Sequence, residues 1–115
     1  MSFTITNRYH AHVIHIQKKF LGSVERTAWK AALEGLGKSP RIIIDLSQTD
    51  FMDSSAVGLL IGTAKSVREE GGEVVLANLK KRIKNLLLMM HLLGDVFTNY
   101  ETIEAAEHHF VAAAE

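Results

Sequence analysis

The feature that most constrains this chain is the run Arg41-Ile42-Ile43-Ile44-Asp45-Leu46, almost uninterrupted in apolar character and rich in isoleucine. β-Branched residues suit an extended backbone, and a strand without polar alternation has to be covered on both faces. A fold with a covered central strand needs at least two further layers, so the run points to the middle of an α/β sheet. The 115 residues supply about one domain's worth of chain, and residues 1–115 are read as a single domain with one core.

The segments around the run fit that frame. Phe3 to Gln17 alternates apolar and polar residues, reading as two short strands joined by a turn at Asn7-Arg8-Tyr9-His10: an N-terminal antiparallel hairpin. Ser23 is positioned to cap a helix carrying Val24, Ala28, Ala31, Ala32 and Leu36, which Gly35, Gly37 and the only proline, Pro40, bring to an end. Asp53-Ser54-Ser55 marks another helix start. That helix runs to about Glu70, with Val57, Leu60, Ile61, Ala64 and Val67 on one face, and Gly71-Gly72 stops it. Glu73 to Ala77 reads as a strand, Lys80 to Met90 as a helix carrying Ile83, Leu86, Leu87 and Met90, and Val96-Phe97 as at most a short strand. Thr102 opens a last helix through Val111. Strands alternating with helices make parallel pairing the economical topology. The expectation is an α/β fold with a central mixed sheet of four to five strands and about four helices.

Composition removes several classes of function. Thirteen basic residues balance thirteen acidic ones, leaving no net field to draw nucleic acid or an anionic membrane. No cysteine is present, which excludes disulfides and thiolate chemistry and suits a reducing compartment. The longest apolar run, Ala56 to Ala64, is interrupted by Gly58, Gly62 and Thr63 and is far short of the ~20 residues that span a bilayer. No signal peptide is visible, so the expected location is the cytoplasm.

Four patterns suggest chemistry and lose to plainer readings. Ala32 to Ser39 loosely resembles a phosphate-binding loop, but it follows a helix and precedes a strand, the reverse of the order that aims helix amides at phosphates. His10 and His12 are two apart on an expected strand, yet no third ligand lies at metal-site spacing, and the adjacent His108 and His109 diverge; no metal or other cofactor is expected. Asp45 ends the central strand as a phosphoacceptor aspartate would, but the first strand lacks the acidic pair such receivers use, so Asp45 is read as bracing a loop. Lys80-Lys81-Arg82-Ile83-Lys84 sets positive charge at a helix start, where the macrodipole disfavours it, and reads as a solvated face.

The segment Phe51-Met52-Asp53-Ser54-Ser55-Ala56-Val57-Gly58 carries more information. It places hydroxyls beside the unpaired amides of a helix start, behind an acidic residue. A phosphate there would add about −1.5 to −2 charges where the helix tolerates them. At this motif the chain resembles the STAS family of anti-sigma factor antagonists. The resemblance extends over the strand Arg41 to Leu46, the Glu69-to-Val75 stretch with Gly71-Gly72, and Leu92-Leu93-Gly94 with Phe97. It implies a STAS fold and a non-enzymatic role in bacterial partner switching. On this resemblance Ser54 is phosphorylated by an anti-sigma factor that is also a GHKL-type serine kinase, and a PP2C-type phosphatase reverses the modification. Asp53, Ser54, Ser55, Ala56 and Gly58 would form the partner-binding site, Asp53 shaping the phosphoacceptor position and Gly58 allowing close packing. A monomer or weak dimer is expected. Two departures stand out: Ala56 replaces the family's common glycine, and Lys18-Lys19-Phe20-Leu21-Gly22-Ser23 replaces its usual acidic loop after the second strand. The alternative reading keeps the fold but makes the chain a subunit or regulator of a non-sigma assembly, such as a lipid-transport ATPase, a signalling platform or a secretion regulator.

Overall fold

The computed structural model describes residues 3–21, 26–94 and 96–114. Seven strands and four helices follow in the order β1 (Phe3–Asn7), β2 (His12–Ile16), β3 (Phe20–Leu21), α1 (Arg26–Glu34), β4 (Arg41–Asp45), β5 (Phe51–Met52), α2 (Ser54–Glu69), β6 (Glu73–Ala77), α3 (Lys81–Met89), β7 (Asn99–Tyr100) and α4 (Ile103–Ala114). Five strands make one sheet in the order β1-β2-β4-β6-β7. Only the β1–β2 pair is antiparallel, so the sheet is mixed with an antiparallel edge, as the alternation of Phe3 to Gln17 predicts.

The isoleucine run is β4, at the centre of this sheet. Strand geometry sends successive side chains to opposite faces, and the run divides accordingly. Ile42 and Ile44 join Trp29 of α1, Leu60 and Val67 of α2 and Ile83 and Leu87 of α3 in one core. Ile43 joins Ala106 and Phe110 of α4 in the other. Three helices therefore cover one face and α4 the other, which is why no position of β4 from Ile42 to Ile44 carries a polar residue.

Several details differ from the sequence reading. β2 begins at His12, so His10 lies in the β1–β2 turn, and the two histidines do not share a strand. The expected cap Ser23 lies outside the described residues. Trp29 anchors α1: it is buried, meets Phe3 edge-on at 5.2 Å, and donates its indole N–H to Thr63 Oγ1 at 2.9 Å. The last short strand is Asn99–Tyr100 rather than Val96-Phe97. Phe97 forms a single bridge with Leu93 and is fully buried. Met90 does not face the core; it is exposed just past the end of α3.

The stop after α2 rests on backbone proximity. Gly71 has φ +87°, and a Cβ on Gly72 would overlap Pro40 O and approach Val67 Cγ1. Gly72 N–H donates to Val67 O, and Glu73 N–H to Pro40 O, so the turn seats β6 against the start of β4. Asp45 braces the opposite ends of the strands. Its Oδ1 accepts from Ser47 N–H and Asn78 Nδ2, both at 3.0 Å, and its Oδ2 lies 2.7 Å from His15 Nδ1. Burial pushes this carboxyl up, but the hydrogen bonds from Ser47, Asn78 and His15 outweigh it and hold the pKa below the usual value.

Candidate functional site

The expected site forms where β5 hands over to α2. β3 and β5 make a separate two-stranded parallel sheet, Phe20 beside Phe51 and Leu21 beside Met52. Lys19 O accepts from the N–H groups of both Asp50 and Phe51. The segment carrying Lys18 to Leu21 thus lies directly against the strand that leads into Asp53-Ser54-Ser55.

Asp53 is the N-cap of α2. Its φ and ψ of −91° and 178° are extended, and its Oδ1 accepts from Ala56 N–H at 2.9 Å. Its own carbonyl accepts from Val57 N–H at 3.1 Å. Ser54 is therefore the first helical residue rather than the cap, and Ser55 the second; both are exposed. The amides of these two positions have no partner within a helix. An added anion on either hydroxyl would meet the positive end of a 16-residue helix. Ala56 is only 1% exposed and packs in the core with Val57 and Leu60, so it supports the serine turn from beneath rather than forming its surface. Gly58 is exposed, and a Cβ there would meet nothing within 4 Å. Packing inside the chain does not require this glycine, so any close approach it permits is to something outside.

Next to the serine turn the surface turns apolar. A groove of about 540 Å³ lies between β5 and α3, lined by Phe51, Ile83, Leu86 and Met89 and flanked by Lys81 and Arg82. Met89 is 78% exposed and Phe51 44%, with Leu88 and Met90 also at the surface. Periodicity does not separate these residues from core positions, because Ile83 and Leu87 of the same helix are fully buried. The signal in the sequence is the unbroken Leu86-Leu87-Leu88-Met89-Met90, too apolar all round for a helix with one buried stripe. The basic run of α3 is partly engaged: Lys80 makes no side-chain cap, and its Nζ reaches Asp50 Oδ1 at 2.6 Å. That hydrogen bond holds the Asp50 carboxyl below its usual pKa.

Among the described residues no group of three or more His, Asp or Glu side chains is placed to hold a metal, and no helix is long and apolar enough to cross a membrane. The serine turn thus sets an exposed hydroxyl pair on a capped helix start, and Phe51 of the strand leading into it lines an apolar groove with a basic flank. The STAS domain family model matches residues 3–106. The chain belongs to the STAS domain family. An anti-sigma F factor antagonist of Paenibacillus polymyxa is 33% identical to it over 51 residues, a stretch that spans 44% of this chain and 44% of that protein. Among solved structures, a sulfate transporter family protein from Wolinella succinogenes superposes with a TM-score of 0.80 at 12% identity, covering 95% of this chain and 91% of that one. The Bacillus cell fate determinant SpoIIAA in its phosphorylated form superposes with a TM-score of 0.64 at 21% identity, over 93% of this STAS chain and 98% of SpoIIAA. These structures share the fold of a mixed five-stranded sheet with four helices.

Proposed function

We propose that this STAS domain is an anti-sigma factor antagonist that works by partner switching. The observation that carries the proposal is the placement of Ser54: an exposed hydroxyl at the first position of α2, held there by the Asp53 cap and by the buried Ala56 and Val57. Unphosphorylated, the serine turn and the apolar groove beside it bind an anti-sigma factor that is also a GHKL-type serine kinase. Lys81 and Arg82 favour a partner surface that brings carboxylates alongside apolar side chains. The kinase transfers the terminal phosphoryl group of ATP to Ser54 Oγ, leaving ADP, and a PP2C-type phosphatase later removes the group as inorganic phosphate. The nucleotide is bound by the kinase, and this chain supplies only the acceptor.

Physical chemistry makes such a modification a switch rather than a denaturing event. Added negative charge at a helix N-terminus is stabilising for the domain. For a docked partner it is a charge buried against carboxylates, and a hundredfold loss of affinity takes only about 2.7 kcal/mol. The likeness to the anti-sigma F factor antagonist and to SpoIIAA, solved in its phosphorylated form, supports this reading. The test is the affinity of wild type, Ser54→Ala and Ser54→Asp for an anti-sigma factor kinase. Wild type and Ser54→Ala are expected to bind alike, with Ser54→Asp about a hundredfold weaker. Equal affinities for all three, with no phosphate incorporated into wild type, contradict the proposal. Affinity purification that returns a transporter ATPase and no kinase would point instead to a subunit of a non-sigma assembly.

A further inference from the structure

A second recess lies at the other end of the sheet, where the β1–β2 turn meets the loop from α1 to β4. It is a shallow depression of about 250 Å³, open to solvent, and its lining includes Arg8, Tyr9, His10, His12, Lys38 and Arg41. Three permanent cations and two imidazoles converge there, among the described residues no carboxylate lines the recess, and the chain as a whole carries no net charge. Gathering like charges works against stability, and a concave surface of one sign focuses its field on ligands of the other.

Two carboxylates adjoin these cations: Glu107 pairs with Arg8 itself, and Glu73 is engaged by His109. Glu107 of α4 accepts from Arg8 Nε at 2.9 Å and from the His10 backbone N–H at 3.3 Å, which ties the hairpin turn down and leaves the other N–H groups of the guanidinium. Glu73 stands beside Arg41 in the β4–β6 register, but its Oε2 lies 2.8 Å from His109 Nε2. Among the described residues the side chains of Lys38 and Arg41 make no hydrogen bond or ion pair. Arg41 is half-buried all the same. The loop that resembles a phosphate-binding motif contributes Lys38, although it follows the C-terminal end of α1. Recognition here would therefore rest on side-chain cations and not on helix amides.

We propose that this recess binds a small phosphorylated molecule, with its phosphoryl group among Arg8, Lys38 and Arg41. Arginine forks match phosphoryl oxygens in pairs, and lysine adds a mobile point charge. The recess has room for a phosphoryl group carried on a small organic body. Tyr9, 94% exposed, offers a ring to the organic part.

The full chain is titrated with inorganic phosphate, pyrophosphate and glucose 6-phosphate by calorimetry and by amide NMR, and with phosphatidate vesicles by co-sedimentation. Saturable one-site binding of a soluble phosphate is expected, weakened by added salt, with signals moving at residues 8–12 and 38–41 and not at 53–58. Lys38→Gln and Arg41→Gln should each weaken binding about tenfold, the loss expected for one charge-assisted hydrogen bond. The Lys38 side chain is exposed and, among the described residues, makes no hydrogen bond or ion pair, so Lys38→Gln keeps the test decisive if Arg41→Gln does not fold. Absence of saturable binding, signals moving elsewhere, affinity unchanged in the variants, or binding to vesicles alone would each overturn the proposal.

Discussion

Replacing Asp53 with alanine separates the two jobs assigned to this residue, holding the first turn of α2 and placing a charge beside Ser54. Asp53→Ala removes one side-chain acceptor, the 2.9 Å bond from Ala56 N–H, while the carbonyl bond from Val57 N–H remains. Losing an N-cap of this kind costs about 1 kcal/mol. Unfolding entropy near 60 °C is ~2.1 cal/mol/K per residue, hence ~240 cal/mol/K for 115 residues, so the expected fall in Tm is about 4 °C. Asp53→Asn keeps an acceptor oxygen and loses only the charge facing the helix dipole, roughly 0.5 kcal/mol or about 2 °C. Thermal unfolding by circular dichroism measures both, and hydrogen exchange at Ser54 to Ala56 reports whether the loss is local. Because Ala56, Val57 and Leu60 stay buried, the exchange of Leu60 should be little changed. An Asp53→Ala protein with unchanged Tm, or an Asp53→Asn protein that loses as much as Asp53→Ala, refutes the cap as the device that holds the serine turn.

Three further outcomes follow from the fold. Thr63→Val strips the acceptor from the buried Trp29 indole N–H and should cost about 1–3 kcal/mol, read by denaturant unfolding, with a change in tryptophan emission. Asp45 has its pKa depressed by the fold, so its ionised form stabilises the native state above about pH 4, and that contribution disappears as pH falls through the lower native value. Asp45→Asn should flatten this part of the stability-against-pH curve, which urea midpoints between pH 2 and 7 would reveal. Gly72→Ala forces a Cβ into Pro40 O and the Val67 side chain and should cost about 1–3 kcal/mol in the same unfolding assay, whereas Gly58→Ala, facing open space, should leave stability within about 1 kcal/mol of wild type.

What was legible in the sequence is what depends on local pattern. Ile42 to Ile44 are apolar without interruption because both faces of β4 are covered, and that alone placed them in a central strand. Asp53 before an apolar helical stripe marked the start of α2, and Gly71-Gly72 its end. The β3–β5 pair was not legible, because two strands of two residues have no period, and their partnership joins residues far apart in the chain, Phe20 to Phe51 and Leu21 to Met52. Trp29 is not legible as the anchor of α1 for a related reason: its indole N–H is satisfied by Thr63, a hydroxyl inside another helix. At the site, the cap and the exposed serines follow from capping chemistry, while the apolar groove does not. Leu87 and Met89 are similar in kind, and only the docking of α3 decides that one is buried and the other exposed.

The central claim is that Ser54 is the residue at which this domain is switched. Its most direct test is to incubate the full chain with an anti-sigma factor kinase and ATP and to map the phosphate by mass spectrometry of the peptide containing residues 53–58. A single phosphate on Ser54, absent in Ser54→Ala, is expected, with loss of the complex as it accumulates. Phosphate on Ser55 or elsewhere, or a complex that persists after Ser54 is fully modified, would contradict it.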